Sequence, residues 1–533
     1  MSNSESTRSS PGSPRLRPPP GGVVIRMYRQ GLGDCFLLAF AGESRSTPCY
    51  VLVDCGAHFA QPGGRETMAR VIDDLIECTG GRIDIVVATH EHTDHLSAFK
   101  HSARRLLNGD LKIGQLWLAW TERDDDEIAR QLRGERVNAK EAIEAAIERL
   151  KEGVKADEAP SLMLSARLAA ATQFFAIDDR EDDDTIPTLA SRLGLADPEK
   201  VTGNELALAL LKATAKEVRF LTPGNVSVPI PGSPTARAYV LGPPRDMSLL
   251  RKFDPSRGDR HETFLTSAIG LASFATAAVH TVDNDLAARE RAEFCFPFDT
   301  RLRLNPFVET EADKLSPEQR KFFDQFYGSK DAWRRIDRDW LFAAGELALH
   351  LDRHTNNTSL ALAFELGEPG EGPVLLFPAD AQVGNWLSWQ GLTWKLAGRE
   401  IGIADLLRRT AVYKVGHHAS HNATLARDET GAEYGLRLVQ DGVVALIPVD
   451  QAAAEKLPGW EMPYENLYEF LKQKTRGNIL RSDDADRDLP MPRIQWSDVP
   501  GVPRARWRRS QKQKSEKSGS GPLYYDLSIT PES

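Results

Sequence analysis

Cysteine is scarce in this 533-residue chain: five residues, Cys35, Cys49, Cys55, Cys78 and Cys295, in no C-x-x-C arrangement. An odd, scattered set argues against a disulfide framework and for a reducing compartment, so a cytoplasmic location is expected. No apolar run is long enough to span a bilayer, and the first residues lack the apolar core of a signal peptide, so no membrane association is expected. The net charge of -9 gives no overall attraction to nucleic acid, although a local basic patch is still compatible with it. No fixed-period repeat is visible. What is there, 41% hydrophobic and 27% charged residues, is the composition of a soluble globular protein. The length calls for one elaborated domain or two to three compact parts.

The most informative stretch is Ile85-Val-Val-Ala-Thr-His-Glu-His-Thr-Asp-His95. Its β-branched run reads as a buried strand, at whose end His90, His92, Asp94 and His95 arrive within six positions. His90 and His92 share parity and point the same way, while Asp94 and His95 follow in the turn. Neutral imidazoles and a carboxylate at this spacing suit two divalent ions held side by side, zinc first and manganese as the alternative.

Residues 1–22, rich in Ser, Pro, Gly and Arg, are expected to form a disordered leader. Strands are expected at Val23–Tyr28, Cys35–Phe40 and Tyr50–Asp54, and a helix from Glu66 to Thr79 with Met68, Val71, Ile72, Leu75 and Ile76 on one face. Lys100 to Lys216 reads as mostly helical, with Ala142, Ile143, Ala146, Ile147 and Leu150 forming a core-facing stripe. The acidic run Asp178 to Asp184 lacks the spacing of a calcium loop and reads as a solvated loop. Strand patterns return over Val218 to Leu241, and a second insertion runs from about Arg245 to Ala344, including Trp333 and Trp340. Further strands are expected at Pro373–Phe377, whose end carries Asp380, and at Ala411–Val415, which delivers His417 and His418. Asp380 can bridge two cations or, in the bland reading, cap a following helix. The basic stretch Arg504-Ala-Arg-Trp-Arg-Arg509 is either a solvated linker or a contact for single-stranded nucleic acid, and Leu523–Ser528 reads as a final strand that pairs back into the sheet.

The order strand, Gln30-Gly-Leu-Gly-Asp34, strand ending in Asp54-Cys-Gly56, helix, strand and His-x-His-x-Asp-His resembles the metallo-β-lactamase fold. It is similar, more narrowly, to the hydrolase domain of bacterial DNA-uptake channel proteins. Asn356-Asn-Thr-Ser359, Val374-Leu-Leu-Phe-Pro-Ala-Asp380 and Val412-Tyr-Lys-Val-Gly-His-His418 follow in the family's order. The resemblance implies an α/β fold, an αββα sandwich with largely helical insertions. Its first half would span residues 23–100, a helical insertion 101–217, returning strands 218–244, a second insertion 245–344, the second half 345–485, and a basic tail with a final strand 486–533. By the same resemblance His417 would be the metal ligand of its pair, with His418 facing the substrate or standing behind a ligand; the reverse assignment stays open. Asp54 would hydrogen-bond the attacking water or a ligand from below. Another metal-binding histidine usual in the fold has no clear counterpart, so the first ion has His90, His92 and Asp380, with or without His354. The family's Gly-His-Pro piece is replaced by Glu461-Met-Pro463.

Two such ions would generate a bridging hydroxide near neutral pH and polarise the oxygen under attack. Asp94 would ligate the second ion and orient that hydroxide, His95, Asp380 and His417 would complete the shell, and His418 could stabilise developing charge. The expected activity is hydrolysis, of a phosphodiester in a nucleic acid or nucleotide by the narrower resemblance, or of a lactam, thioester or lactone. By similarity to large-insertion members of the fold that occur beside NTPases in bacterial antiviral operons, a role in antiviral defence is a further expectation. A partner-binding subunit, whose insertions dock another protein and whose metal site is secondary, is therefore the third expectation.

Overall fold

The computed structural model describes residues 15–44, 47–58, 63–153, 172–173, 175–176, 185–224, 226–253, 315–327, 339–428, 430–456, 460–484, 504–509 and 523–530. In chain order the strands are β1 (Val23–Tyr28), β2 (Cys35–Phe40), β3 (Cys49–Cys55), β4 (Arg82–Val87), β5 (Lys112–Ala119), β6 (Ala215–Leu221), β7 (Val228–Pro229), β8 (Ala236–Val240) and β9 (Leu362–Leu366). They continue as β10 (Val374–Phe377), β11 (Thr393–Leu396), β12 (Arg399–Gly402), β13 (Thr410–Lys414), β14 (Val444–Ile447), β15 (Ile479–Arg481), β16 (Arg504–Arg509) and β17 (Tyr524–Thr530). One sheet runs β16-β17-β1-β2-β3-β4-β5-β6 and the other β15-β14-β13-β10-β9-β8-β7, with β11 and β12 forming a separate hairpin.

Strand parity builds the layers. In β1, Val23, Ile25 and Met27 meet Phe364, Phe377 and Val412 of the opposite sheet. Val24 and Tyr28 turn to the outer face, among Val71 and Leu75 of the helix Gly64–Thr79 and Leu206 and Leu210 of the helix Gly203–Thr214. A strand covered on both faces is apolar at nearly every position, which is why these runs do not alternate. The second sheet is covered outside by Trp386, Leu406, Leu407, Leu467 and Leu471. The result is the αββα sandwich that the motif order implied, with dry packing between the sheets. There the Phe364 and Phe377 rings meet edge to face at 5.9 Å, a geometry worth about 0.5–1.5 kcal/mol beyond burial.

Several boundaries differ from expectation. Packing begins before Val23: Leu16 is buried, and its carbonyl accepts the Tyr50 hydroxyl at 3.0 Å, because an apolar side chain close to the outer cluster gains more by docking than by staying in water. Residues 1–14 lie outside the described residues. The segment 101–217 is not wholly helical, since β5 and β6 extend the first sheet; Ile113, Leu116 and Trp117 were the signal. The stretch Val218 to Leu241 serves two sheets, β6 in one and β7 and β8 in the other. The helix expected around 138–151 runs from Glu127 to Gly153. The acidic run 178–184, most of the second insertion including Trp333, and Cys295 lie outside the described residues. The basic stretch at 504–509 is not a linker but β16, paired antiparallel with β17, which in turn pairs with β1. Buried Arg26 of β1 fixes β17 by a two-pronged bond to Asp526 at 2.7 and 2.9 Å. Cys35, Cys49, Cys55 and Cys78 are free and buried. Among the described residues no helix is long and apolar enough to cross a membrane.

Candidate metal centre

The expected site residues come from the carboxyl ends of β3, β4, β10 and β13, where loops leave parallel strands and side chains can converge. Two glycines make the convergence possible. A Cβ on Gly56 would stand 2.4 Å from the backbone carbon of Asp94, and one on Gly33 would stand 2.7 Å from the Asp94 carbonyl oxygen. The Asp34 amide donates to that same oxygen at 2.9 Å. The Gly-Asp loop and the Asp-Cys-Gly turn thus form a cradle under the first turn of the helix Thr93–His101. Left-handed backbone is concentrated here, at Asp54 (φ 54°), Ala379 (φ 52°), His417 (φ 43°), His418 (φ 51°) and Ala419 (φ 66°). Strain of this kind persists only where the surroundings impose it.

Hydrogen-bond partners fix which nitrogen of each imidazole faces inward. His95 donates through Nδ1 to Asp54 Oδ2 at 2.8 Å, and His418 through Nδ1 to the Pro448 carbonyl at 2.6 Å. The Thr89 hydroxyl donates to Asp54 at 2.7 Å and therefore accepts from His90 Nδ1, 3.0 Å away. Ser420 donates to Asn422 Oδ1 at 3.1 Å and accepts from His417 Nδ1 at 2.9 Å. In the neutral tautomers so fixed all four rings present Nε2 inward, and all four Nε2 atoms lie near carboxylate oxygens. His95 Nε2 is 3.2 Å, His90 Nε2 3.9 Å and His417 Nε2 4.0 Å from Asp380 Oδ2, and His418 Nε2 is 3.0 Å from Asp94 Oδ2. His92 is the exception, since its Nδ1 is the inward atom, 3.1 Å from His90 Nε2. Acceptors facing acceptors in a buried space need a cation or protons between them.

The electrostatics have the same cause. Burial pushes the His95 imidazolium down, yet Asp94, Asp380 and Asp54 together hold it well above its ordinary value. Burial likewise opposes, and Asp94 overcomes, a rise at His418. Burial and then the neighbouring His95 and His92 hold His90 well below the usual range. Burial takes His92 down to about 3 and His417 to about 4, so these stay neutral and keep the lone pair a metal requires. Burial disfavours the Asp94 and Asp380 charges, but His95 draws both well below the carboxylate range. Beneath them lies buried Lys414, paired with Asp34 and 3.4 Å from Asp380 Oδ1. Asp34, Asp54, Asp94 and Asp380 therefore face one permanent cation among the described residues.

The donor set fits divalent ions. Single ligand atoms of Asp94, His95, Asp380 and His418 all lie within 4.8 Å of one another, and Asp94 Oδ1 is buried without a hydrogen-bond partner among the described residues. Of the expected residues, His90, His92, Asp94, His95, Asp380, His417 and His418 come together. In the histidine pair, whose division the sequence left open, His418 Nε2 turns to Asp94 and His417 Nε2 to Asp380, because consecutive left-handed residues splay adjacent side chains in different directions. Asp54, expected among the catalytic groups, hydrogen-bonds Thr89 and His95. Asp380 does not cap a helix with its side chain; its Oδ1 accepts the His417 amide at 3.2 Å. His354 packs against Phe253 with ring centroids 6.3 Å apart. Asn357 ties Leu250 to Gln382 through side-chain bonds of 2.7 and 3.1 Å, so it is structural. Lys414 and Asp352 were not anticipated; a lysine inside a buried strand run was the available signal for the former.

Residues 31–165 match the family model described as Metallo-beta-lactamase superfamily. Over those residues the chain is similar to a metallo-β-lactamase superfamily domain. The match covers Asp34, Asp54 and His90 to His95, while Asp380, His417 and His418 lie beyond it. No curated protein matches the chain. Solved structures similar to it include a beta-lactamase domain protein from Burkholderia ambifaria, at 16% identity and a TM-score of 0.19, covering 42% of this chain and 45% of that one. The chain thus spans less than half the length of that protein. Metallo-β-lactamase domains generally belong to hydrolases and usually bind divalent metals.

Proposed function

We propose that this metallo-β-lactamase domain is a two-ion hydrolase of phosphodiesters in a nucleic acid or nucleotide. The observation that carries the hydrolase reading is Asp380 Oδ2, one carboxylate oxygen within 4.0 Å of His90, His95 and His417 nitrogens that come from both halves of the sandwich. His90 Nε2, His92 Nδ1, His417 Nε2 and Asp380 would hold the first ion, and Asp94, His95 Nε2, His418 Nε2 and Asp380 the second. Zinc suits this nitrogen-rich set, with manganese as the alternative. When bound, a pair of such ions makes water acidic enough to attack near neutral pH and neutralises charge on the group attacked.

The chain's own residues do the rest. Asp94 Oδ1, free of other bonds among the described residues, accepts a hydrogen bond from the attacking water and aims it. Asp54 keeps His95 in the tautomer that presents Nε2. Lys414 and the His417 amide take up Asp380 Oδ1 and so leave Oδ2 for the ions. A tetrahedral phosphorus with two non-bridging oxygens suits two adjacent cations. The resemblance of Gln30-Gly-Leu-Gly-Asp34 to the DNA-uptake branch favours that substrate over a carbonyl compound.

The test is metal content of the purified protein, followed by a panel of single-stranded DNA, cyclic nucleotides, bis(p-nitrophenyl) phosphate, a β-lactam and a lactone. Phosphodiester cleavage that disappears in Asp94→Ala is expected. Turnover of the lactam or lactone alone would replace the phosphodiester reading, and absence of bound metal would end the hydrolase reading.

A further inference from the structure

The helix Asp339–Asn357 belongs to neither sheet, and it ends beside the first-ion ligands. His92 is the one histidine of the cluster that turns Nδ1 inward, so its proton belongs on Nε2, at the far side of the ring. Facing that atom is Asp352, whose Oδ1 lies 3.9 Å from His92 Nε2. The same Oδ1 is buried and has no hydrogen-bond partner among the described residues, while Oδ2 accepts from Asn356 Nδ2 at 3.4 Å. Asp352 thus aims an unused acceptor at the outer edge of a ligand ring. The other histidines of the centre have their outer nitrogens held by Asp54, by the Pro448 carbonyl, or by the hydroxyls of Thr89 and Ser420; this position is faced by a carboxylate from the helix Asp339–Asn357.

Helical geometry explains why this residue and not His354 occupies the place. Positions two apart on a helix point to nearly opposite sides. With Asp352 toward His92, His354 is turned to Phe253 and to His350 one turn back, whose ring lies 6.4 Å from it. The histidine considered for the first ion is therefore on the wrong face.

We infer that Asp352 is a positioning residue for the first ion: its carboxylate receives the Nε2–H of His92, fixes that ring in the Nε2–H tautomer and keeps Nδ1 available for the metal. A cation on Nδ1 makes the Nε2–H more acidic, and a carboxylate behind a ligand imidazole raises its basicity, so the contact and the metal strengthen each other. This inference rests on the two-ion reading proposed above.

Zinc affinity is measured by chelator competition on the full chain, with cobalt as a spectroscopic probe, for wild type, Asp352→Ala and Asp352→Asn. Loss of such partners commonly weakens metal binding by about 10- to 100-fold. The Asp352→Ala variant is expected to lose that much affinity for one of two ions while the other is unchanged. The Asp352→Asn variant should recover most of it, since an amide oxygen also accepts from Nε2–H, and its cobalt spectrum should match wild type because the donor set is the same. Wild-type affinity in Asp352→Ala would overturn the inference. So would an Asp352→Asn variant that loses the ion as completely as His92→Ala, which would make Asp352 a direct ligand. A wild-type chain that takes up no zinc or cobalt would sink the two-ion reading itself and this inference with it, a result distinct from either of those.

Discussion

Replacing Lys414 by methionine tests the charge balance under the proposed centre. The ammonium is 1% exposed and lies 3.4 Å from Asp380 Oδ1, with Asp34 closer still. At an effective dielectric of about 20, one such pair attracts by roughly 5 kcal/mol. Desolvation offsets much of that in the intact protein, yet removing one member leaves buried carboxylates without their cation, which costs about 3–5 kcal/mol. For a cooperative unit of this kind the loss corresponds to a fall in melting temperature on the order of 10 °C. Thermal unfolding followed by circular dichroism, with EDTA and then with zinc, reads the effect. In EDTA, Lys414→Met should melt well below wild type. Zinc should then raise the variant by more than it raises wild type, because ions would take over neutralisation that the lysine had supplied. A drop of no more than about 2 °C, or equal zinc increments for the two proteins, would refute the reasoning.

Three other outcomes are expected. His417→Ala and His418→Ala should each retain about half the wild-type metal content, one losing the first ion and the other the second, as read by plasma mass spectrometry; loss of both ions or of neither in the two variants would contradict the division of the pair. Lys140 of the helix Glu127–Gly153 holds Glu91, between His90 and His92, at 2.6 Å, where Lys140 and Arg136 outweigh the burial that opposes the Glu91 charge and bring its carboxyl to about 2. Lys140→Met should therefore destabilise by about 3–5 kcal/mol and weaken metal binding, measured by denaturant titration and chelator competition. Metal-free protein should lose stability as pH falls from 6.5 toward 3. Buried His90, His92, His417 and His354 are all depressed, the last three to about 3, 4 and 3. Depressed bases contribute stability that is present above 6.5 and lost as pH falls through the folded values. They outnumber Asp54 and Asp352, which burial raises, Asp352 to about 7, and which contribute in the opposite sense over that range. His95 and His418, being raised, add no slope below 6.5. Melting temperatures in EDTA across that range check the sign.

The chemistry of the centre was legible because it is written locally. His90, His92, Asp94 and His95 fall in six consecutive positions after a β-branched run, and spacing of this kind converges whatever the rest of the chain does. Asp380 was legible as well, being a carboxylate just beyond a buried strand. The division of His417 and His418 was not, because two left-handed residues in succession carry no periodicity from which a direction can be read. Asp352 was hidden among the polar positions of an ordinary amphipathic helix, and Lys414 within a strand whose burial only the second sheet creates.

By itself the sequence determined the identity of the groups that gather at the candidate metal centre, the strands that deliver them, and the layered α/β class, since these follow from residue chemistry and from periods of two and 3.6. The tertiary structure decided which nitrogen of each ring turns inward, which oxygen of Asp380 faces the histidines, and which residue stands behind His92. Those depend on partners as far as 324 positions apart, as with His418 and Asp94, and only the packing of one sheet on the other brings such partners within a hydrogen bond's reach.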